Sequence, residues 1–309
     1  MEERIGFIGL GVMGKPMARN LLTAGVDLVV HSRSPGPVDE LVAEGAERAS
    51  DPSGLAASVD IVITMLPDTP AVELVLFGDR GVASGIRSGS LVIDMSTIRP
   101  RASRNFAERL AAAGVATLDA PVSGGEQGAI DGTVSIMVGG KDDAFRRALP
   151  ILEILGGNVT HVGGSGAGQV AKACNQLIVG ATIQAVAEAL MLAAKAGVDP
   201  ATVREALLGG FAGSKILEVH GLRMLRGDFA PGFRSALHLK DARIVTETAD
   251  EQRSPIPSFA VVAAAFEQLA ETGRGDLDHS ALVTLLEDEA GVVLRGRGYP
   301  DRQPSEGES

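Results

Sequence analysis

The chain has 309 residues, of which 45% are hydrophobic and only 3% aromatic, and its formal net charge is -11. This length is enough for two domains with aliphatic cores. The negative charge repels nucleic-acid phosphates and anionic lipid surfaces, so we expect neither kind of partner. A single cysteine, Cys174, excludes an intramolecular disulfide and any multi-cysteine metal site.

The first residues, MEERIGFIGLG, lack the layout of a signal peptide, because acidic residues lead directly into an apolar strand pattern. No uninterrupted apolar run reaches the roughly 18–20 residues of a membrane span. We therefore expect a cytoplasmic protein with no membrane partner.

Short apolar and β-branched runs alternate with helix-like stretches through the first half of the chain. The runs lie at 4–9, 26–32, 59–66, 90–96, 116–122, 133–140 and 158–163. The helix-like stretches lie at 13–24, 37–44, 70–77, 100–113 and 142–155. Nearly continuous apolar strands are typical of a largely parallel sheet that is covered on both faces. The alternation predicts an α/β fold with a doubly wound Rossmann-type dinucleotide-binding domain over residues 1–164.

After the glycine-rich segment 163–169 the pattern becomes entirely helical. Residues 169–196 contain no proline and one glycine, which predicts one long helix, apolar on nearly every side and therefore buried. Further helices are predicted at 200–208, 214–225, 238–250, 257–272 and 280–289. We expect an all-α substrate and oligomerisation domain over residues 165–295, beginning with the long buried helix. The polar segment 296–309 is predicted to be a disordered tail.

A glycine motif joins the first predicted strand to the first predicted helix. It reads Gly9-Leu10-Gly11-Val12-Met13-Gly14, which is G-x-G-x-x-G in its proper context. Gly9 permits a tight turn, Gly11 lets the backbone approach a pyrophosphate, and Gly14 allows close packing of helix on strand. The free amides at the helix start favour the phosphates. A purely structural glycine turn is the alternative.

The end of the second strand bears on the choice between NAD and NADP. An NAD site usually has an acidic residue about 20 residues past the glycines. Here the segment His31-Ser32-Arg33-Ser34 contains none, Asp27 lies at the wrong end of the strand, and Asp39 lies beyond the loop. Ser32 and Arg33 can instead bind a 2′-phosphate, which favours NADP. Arg33 could also be a solvated loop residue in a protein that accepts NAD as well.

Two further strand ends and one glycine loop are candidate ligand-binding segments. Met65-Leu66-Pro67 and Asp94-Met95-Ser96-Thr97 lie at strand ends that should line the cofactor. Pro67 is also simply a good strand terminator. Ser123-Gly124-Gly125 can present amides and a hydroxyl to a carboxylate, although an ordinary glycine turn has the same sequence.

The long helix carries a polar face that includes a candidate proton donor. Lys172 and Asn175 are spaced i, i+3, and Gln169 precedes them by about one turn. A lysine in an apolar helix must find a partner or face a cleft, unless it extends to the surface near the helix start. The five histidines are scattered, without a His-x-x-x-His pair, so we predict no metal site. A second basic residue, Lys240, begins another predicted helix.

Five segments of the chain together resemble one known family. They are GFIGLGVMGKPMARNLL at 6–22, DMSTIRP at 94–100, DAPVSGGEQGAIDGT at 119–133, GQVAKACNQLIV at 168–179 and LHLKDA at 237–242. In this order they resemble the β-hydroxyacid dehydrogenase family, which includes 3-hydroxyisobutyrate dehydrogenase and the reductases of succinic and tartronate semialdehydes. The resemblance covers about residues 4–290.

The resemblance implies roles for individual residues. Lys172 matches the catalytic lysine of the family, and Asn175 matches the asparagine that helps to hold the substrate. Ser123-Gly124-Gly125 match the carboxylate-binding loop, while Thr97 and Lys240 match positions near the nicotinamide. The same match implies that Lys240 also belongs to the substrate site.

The resemblance also implies the reaction. The helical half is most similar to the tartronate semialdehyde reductases at 209–221, 228–241 and 278–283, which implies NAD(P)H-dependent reduction of 2-hydroxy-3-oxopropanoate to glycerate. Family members act on small anionic semialdehydes or hydroxy acids and form homodimers or homotetramers. Because Ala242-Arg243 depart from the usual family residues, a 3-hydroxyisobutyrate dehydrogenase or a succinic semialdehyde reductase remains the alternative, and a non-catalytic NADP-binding module a more remote one.

Overall fold

A computed structural model of the protein describes residues 3–296. The chain forms two compact units, Met1–Lys172 and Ala173–Ser309. The sequence places the division at 164/165, whereas in the structure it falls inside the long helix. The first turns of that helix belong with the first unit because they are hydrogen-bonded to strand ends there. Apart from Gly296, the predicted tail lies outside the described residues.

The first unit contains nine strands within the described residues. They are β1 (Ile5–Ile8), β2 (Leu28–His31), β3 (Glu47–Arg48), β4 (Ile61–Thr64), β5 (Leu91–Asp94), β6 (Ala116–Asp119), β7 (Val122–Ser123), β8 (Ser135–Gly140) and β9 (Asn158–Gly163). Seven helices connect them: α1 (Gly14–Thr23), α2 (Pro35–Ala43), α3 (Pro52–Ser58), α4 (Thr69–Phe77), α5 (Pro100–Ala111), α6 (Gly125–Asp131) and α7 (Asp142–Leu155).

The strands form one mixed sheet in the order β3-β2-β1-β4-β5-β6-β8-β7, with β9 paired to β8. The strands from β3 to β6 are parallel, while β8 runs antiparallel to β6 and β7. Successive residues of the central strands alternate between two cores, so Phe7 and Ile63 pack on one face and Ile8 and Val62 on the other. The predicted doubly wound Rossmann-type domain is confirmed.

The second unit is helical, as predicted. Its helices are α8 (Ala167–Lys195, which starts in the first unit), α9 (Pro200–Leu208), α10 (Lys215–Arg226), α11 (Ser235–Gln252), α12 (Pro257–Leu269) and α13 (Val283–Ala290). Side chains such as Ile183, Leu190 and Phe266 form its separate core. Glycine or left-handed residues end several helices; Gly227, for example, has φ 63° after α10.

The long helix α8 contributes residues such as Ile183, Ala187 and Leu190 to the core of the second unit, but it is not covered on every side in the single chain. One stripe of the helix is exposed, with Ile178 at 63% and Leu192 at 71% exposure. By length and composition alone α8 could also cross a membrane, since its most apolar 18-residue window has a mean hydropathy of 1.9 and 39% of that window is buried. A core helix of a soluble protein has the same properties.

Candidate active site

The carboxyl ends of five parallel strands lie side by side at one edge of the sheet. Ile8 is paired with His31 and with Thr64, Thr64 with Asp94, and Asp94 with Asp119. The loops that follow these residues hold most of the predicted cofactor residues. Ligands of open α/β sheets bind outside such an edge, so the fold gathers the candidates where a dinucleotide would lie.

The glycine loop between β1 and α1 has a backbone that side chains would obstruct at two positions. Gly9 has φ 102°, and a Cβ there would lie 2.3 Å from the carbonyl oxygen of Met65. A Cβ on Gly14 would lie 1.9 Å from the carbonyl oxygen of Gly9. Around Gly11, by contrast, no atom lies within 4 Å of the added Cβ. Gly9 and Gly14 are therefore required by the fold, whereas Gly11 borders open space at the start of α1, as a phosphate cradle requires.

The two carboxylates nearest to the end of β2 are both engaged by arginines. Asp39 pairs with Arg48, and Asp27, before the strand, lies 3.2 Å from Arg4. Arg33 is exposed in the loop that leads to α2. The loop after β2 thus presents a guanidinium and no carboxylate to a ribose.

The loops after β4 and β5 are joined to each other. The amide of Leu66 donates to Ser96 Oγ at 2.9 Å. The Thr64 hydroxyl (2.8 Å) and the amide of Ser96 (3.1 Å) both donate to Asp94 Oδ1. Asp94 therefore fixes the loop that continues into Thr97.

Asp94 and Asp119 are buried carboxylates on neighbouring strand ends. Burial raises the pKa of Asp94 to about 6, against the opposing effect of its hydrogen bonds from Ser96 and Thr64. Burial likewise raises the pKa of Asp119 to about 6, although amides of Gly166 and Gln169 donate to it. The sequence analysis placed Asp94 in a strand-end segment expected to line the cofactor, but it gave neither Asp94 nor Asp119 a role of its own.

These strand ends hold the first turn of α8. Asp119 accepts from the amide of Gly166 at 2.7 Å and from that of Gln169 at 2.9 Å, which satisfies free amides at the helix start. The Gln169 side chain accepts from the amide of Ile98 at 3.0 Å and donates to the carbonyl of Ser96 at 2.7 Å. Gln169 is 1% exposed. Four hydrogen bonds thus fix the helix directly before Lys172.

Lys172 follows one turn later and is itself buried, at 7% exposure. It does not extend to the surface, which was the alternative expectation for a lysine near a helix start. Asn175 follows at i+3 on the same helix, and its Oδ1 is buried without a hydrogen-bond partner among the described residues. An unpaired buried amide oxygen is costly, so a ligand with a hydroxyl group would stabilise it.

In the second unit, Lys240 is held by a buried carboxylate. Its ammonium lies 3.0 Å from Asp241 Oδ1, and Asp241 is 2% exposed. Gln176 of α8 donates to the other oxygen of Asp241 at 2.8 Å. Asp241 therefore ties the start of α11 to α8.

Ser123, Gly124 and Gly125 lie where the short strand β7 meets α6. Gly124 (φ 149°) and Gly125 (φ 64°) both have a left-handed backbone, and both are exposed. No atom lies within 4 Å of a Cβ placed on Gly125. The loop has the open backbone that a carboxylate-binding segment needs.

The second unit also contains a cluster that sequence reasoning missed. His220, His238 and His279, which lie in three separate segments of the sequence, meet in the fold beside Asp278. Histidines that are scattered in the sequence therefore come together in three dimensions. Burial, followed by the neighbouring histidines, lowers the pKa of His279 well below its usual value.

Comparison with known proteins places the chain in a family. Residues 4–164 match the NAD-binding domain of 6-phosphogluconate dehydrogenase, and residues 166–286 match the NAD-binding domain of NADP-dependent 3-hydroxyisobutyrate dehydrogenase. The chain is 49% identical to 2-hydroxy-3-oxopropionate reductase of Escherichia coli K12 over 285 residues, which are 92% of this chain and 97% of that protein.

Two further relatives agree. A 3-hydroxyisobutyrate dehydrogenase of Pseudomonas aeruginosa is 38% identical over 90% of this chain and 95% of its own. A structure of Mycobacterium tuberculosis 3-hydroxyisobutyrate dehydrogenase with L-serine has a TM-score of 0.85 at 33% identity, covering 93% of this chain and 99% of that one. The chain therefore belongs to the 3-hydroxyisobutyrate dehydrogenase family and is an oxidoreductase with NAD(P)-binding domains.

Proposed function

We propose that this oxidoreductase reduces 2-hydroxy-3-oxopropanoate to glycerate with NADPH, and that Lys172 is the general acid. The observation that carries the proposal is the buried position of Lys172, one turn after a helix start that is fixed to the strand ends by Asp119 and Gln169. The 49% identity to 2-hydroxy-3-oxopropionate reductase supports the choice of substrate.

The residues present fit a dinucleotide. The open cradle at Gly11, the amides at the start of α1 and the loop Met65-Leu66-Pro67 would hold it, with Thr97 near its nicotinamide end. When bound, this cofactor supplies a hydride to the carbonyl carbon of the substrate.

The protein supplies the complementary proton. As negative charge develops on the aldehyde oxygen, the Lys172 ammonium stabilises it and transfers a proton to that oxygen, which becomes the new hydroxyl group. Asn175 accepts a hydrogen bond from the substrate hydroxyl and thereby satisfies its buried Oδ1. Ser123-Gly124-Gly125 bind the substrate carboxylate through their amides and the Ser123 hydroxyl. Binding energy is thus used to orient the reacting atoms.

The acid is tested with Lys172→Ala and Lys172→Arg. Both should lower kcat by at least about 100-fold, because general acid catalysis contributes about 10²–10⁴-fold and an arginine retains the charge but does not release its proton. Lys141→Ala, which removes an exposed lysine, is the control and should keep full activity. Near-normal turnover by correctly folded Lys172→Ala would show that Lys172 is not the general acid.

NADP preference is tested with Arg33→Ala. Since Asp39 and Asp27 are both paired with arginines, Arg33 is the charged group that the loop offers to a 2′-phosphate. The KM for NADPH should rise at least about tenfold while the KM for NADH stays unchanged. Arg146→Ala, at an exposed helix position, is the matched control. Equal effects on both cofactors would contradict the preference.

The substrate is tested by kcat/KM values for a panel. The panel contains 2-hydroxy-3-oxopropanoate, succinic semialdehyde, 3-hydroxyisobutyrate and L-serine, the last two because relatives are named with them. We expect the highest kcat/KM for 2-hydroxy-3-oxopropanoate. If another panel member leads, the substrate assignment changes within the family; cofactor binding without turnover of any member would favour a binding module.

We further propose that the protein is a cytoplasmic homo-oligomer. The exposed apolar stripe of α8, with Ile178 and Leu192, is too hydrophobic for a free surface and suits a second copy of the chain. Light scattering on Ile178→Lys should show smaller particles than wild type if this stripe is the interface.

A further inference from the structure

The helical unit brings three of the five histidines of the chain into one cluster. His220 comes from α10, His238 from α11, and His279 from the short turn before α13. The ring nitrogens Nε2 of His220 and His279 are 3.2 Å apart, and the two rings are nearly perpendicular, at 82°. No residue of the mechanism proposed above belongs to this cluster.

A buried carboxylate completes the cluster. Asp278 is 0% exposed, and its Oδ1 lies 3.6 Å from His220 Nδ1. The amides of Gly232 and Phe233 donate to its Oδ2, and the amide and hydroxyl of Ser280 donate to its Oδ1. These bonds orient the carboxylate, as neighbouring groups do around metal ligands in proteins.

We propose that His220, Asp278 and His279 form a binding site for a divalent transition metal ion of the zinc class. One potential ligand atom from each residue can be chosen so that all three lie within 4.8 Å of one another. Two nitrogens bound to one tetrahedral zinc ion lie about 3.3 Å apart, because each Zn–N bond is about 2.0–2.1 Å. The 3.2 Å between the two Nε2 atoms meets this requirement without rearrangement of the backbone.

His238 would not bind the ion itself but would accept a hydrogen bond from His279, one of the proposed ligands. Its Nδ1 is 2.8 Å from His279 Nδ1, so His279 can donate this N–H to His238 and keep the lone pair of Nε2 for an ion. Metal-bound histidines commonly donate their other ring N–H in this way. The His220 side chain is 17% exposed, which gives an ion access from solvent. A water molecule would be the fourth ligand of a tetrahedral ion.

Neighbouring groups limit the affinity of the site for a metal ion. Arg223 lies 3.7 Å from Asp278 Oδ2 and opposes a second positive charge. The Ser280 hydroxyl must rotate away from Oδ1 when an ion binds there. We therefore infer a site that stabilises the fold of the helical unit reversibly, and not one that the fold requires.

The experiment uses the full chain without an affinity tag, stripped with a chelator, in a Cys174→Ser background that removes the exposed thiol. Co²⁺ is titrated while its visible absorption is followed, and Zn²⁺ is then added as competitor. We expect one Co²⁺ per chain with a tetrahedral spectrum, displacement by Zn²⁺, and a thermal midpoint that rises with the logarithm of the Zn²⁺ concentration.

Three variants separate this site from adventitious binding. His220→Gln, at the partly exposed ligand, should weaken the affinity at least about 100-fold, and His238→Gln about tenfold, since outer groups contribute about 10–100-fold. His161→Gln, in the first unit, should leave it unchanged. Binding of less than one ion per chain, or equal affinities of wild type and His220→Gln, would overturn the proposal.

Discussion

Replacing Asp94 by Asn tests whether the buried charge of this carboxylate lowers the free energy of unfolding at neutral pH. Asp94 Oδ1 accepts from Thr64 and Ser96, while Oδ2 is buried without a hydrogen-bond partner among residues 3–296. An asparagine can keep Oδ1 in place and put its amide nitrogen where Oδ2 was. The substitution therefore removes the charge and preserves the hydrogen bonds that Thr64 and Ser96 donate to Oδ1.

The magnitude follows from the raised pKa. Burial raises the pKa of Asp94 from 3.8 to about 6, so the folded protein holds this proton more tightly than the unfolded chain. As the pH rises from about 4 to about 6, the unfolded chain releases the proton first, and the stability of the folded protein falls. The shift corresponds to about 3 kcal/mol, which is fully lost above pH 7. The new unpaired amide nitrogen of Asp94→Asn costs about 1–3 kcal/mol at every pH.

Urea unfolding, followed by circular dichroism between pH 4 and pH 8, measures the outcome. Relative to wild type, Asp94→Asn should be less stable by about 1–3 kcal/mol near pH 4 and equal or up to about 2 kcal/mol more stable at pH 8. Asp79→Asn, at an exposed position, controls for the general loss of a carboxylate. Parallel stability curves for wild type and Asp94→Asn would refute the reasoning.

Four further substitutions test residues at the same edge of the sheet. Gly14→Ala places a methyl group 1.9 Å from the carbonyl oxygen of Gly9 and should destabilise the fold by more than about 1–3 kcal/mol, which calorimetry can measure. The methyl group of Gly11→Ala meets no atom, so this substitution should raise only the Kd for NADPH, which fluorescence titration can measure. Asp119→Asn should destabilise at neutral pH, unlike Asp94→Asn, because both Asp119 oxygens accept backbone amides; a urea midpoint at the wild-type value would contradict this. Gln169→Leu should lower kcat together with stability, since the helix start loses two buried hydrogen bonds; unchanged kcat would show that Lys172 does not depend on it.

Much of the fold could be predicted because its signals are local. The parallel strands are continuous apolar runs, and Pro200–Leu208 begins and ends as predicted, after the capping Asp199. The short elements were missed for a physical reason. In α6, Gly125–Asp131, two glycines among seven residues lower the helix propensity, and the helix depends on burying Gly128 and Ala129 inside the first unit. Helix α3 does carry a local signal in the sequence, the capping residue Asp51 followed by Pro52.

The site was only partly predictable because its supporting contacts are distant in sequence. Lys172 could be proposed from a local pattern, but Asp119 reaches the amide of Gly166 across 47 residues. The histidines that meet in the second unit are separated by 41 and 59 residues. Contacts of this kind arise from the topology of the chain, which a single sequence does not encode in any short window.

Because α8 is attached at its first turn, a change in the direction of the helix displaces its last residues much more than its first. The helix is anchored at Gln169, Lys172 follows after one turn, and the last residue is Lys195. With a rise of ~1.5 Å per residue, a tilt of about 5° at the anchor displaces Lys172 by less than ~0.5 Å but Lys195 by about 3 Å. Substitutions far along α8 that change the direction of the helix therefore move the side chains around them, while the backbone of Lys172 stays nearly in place.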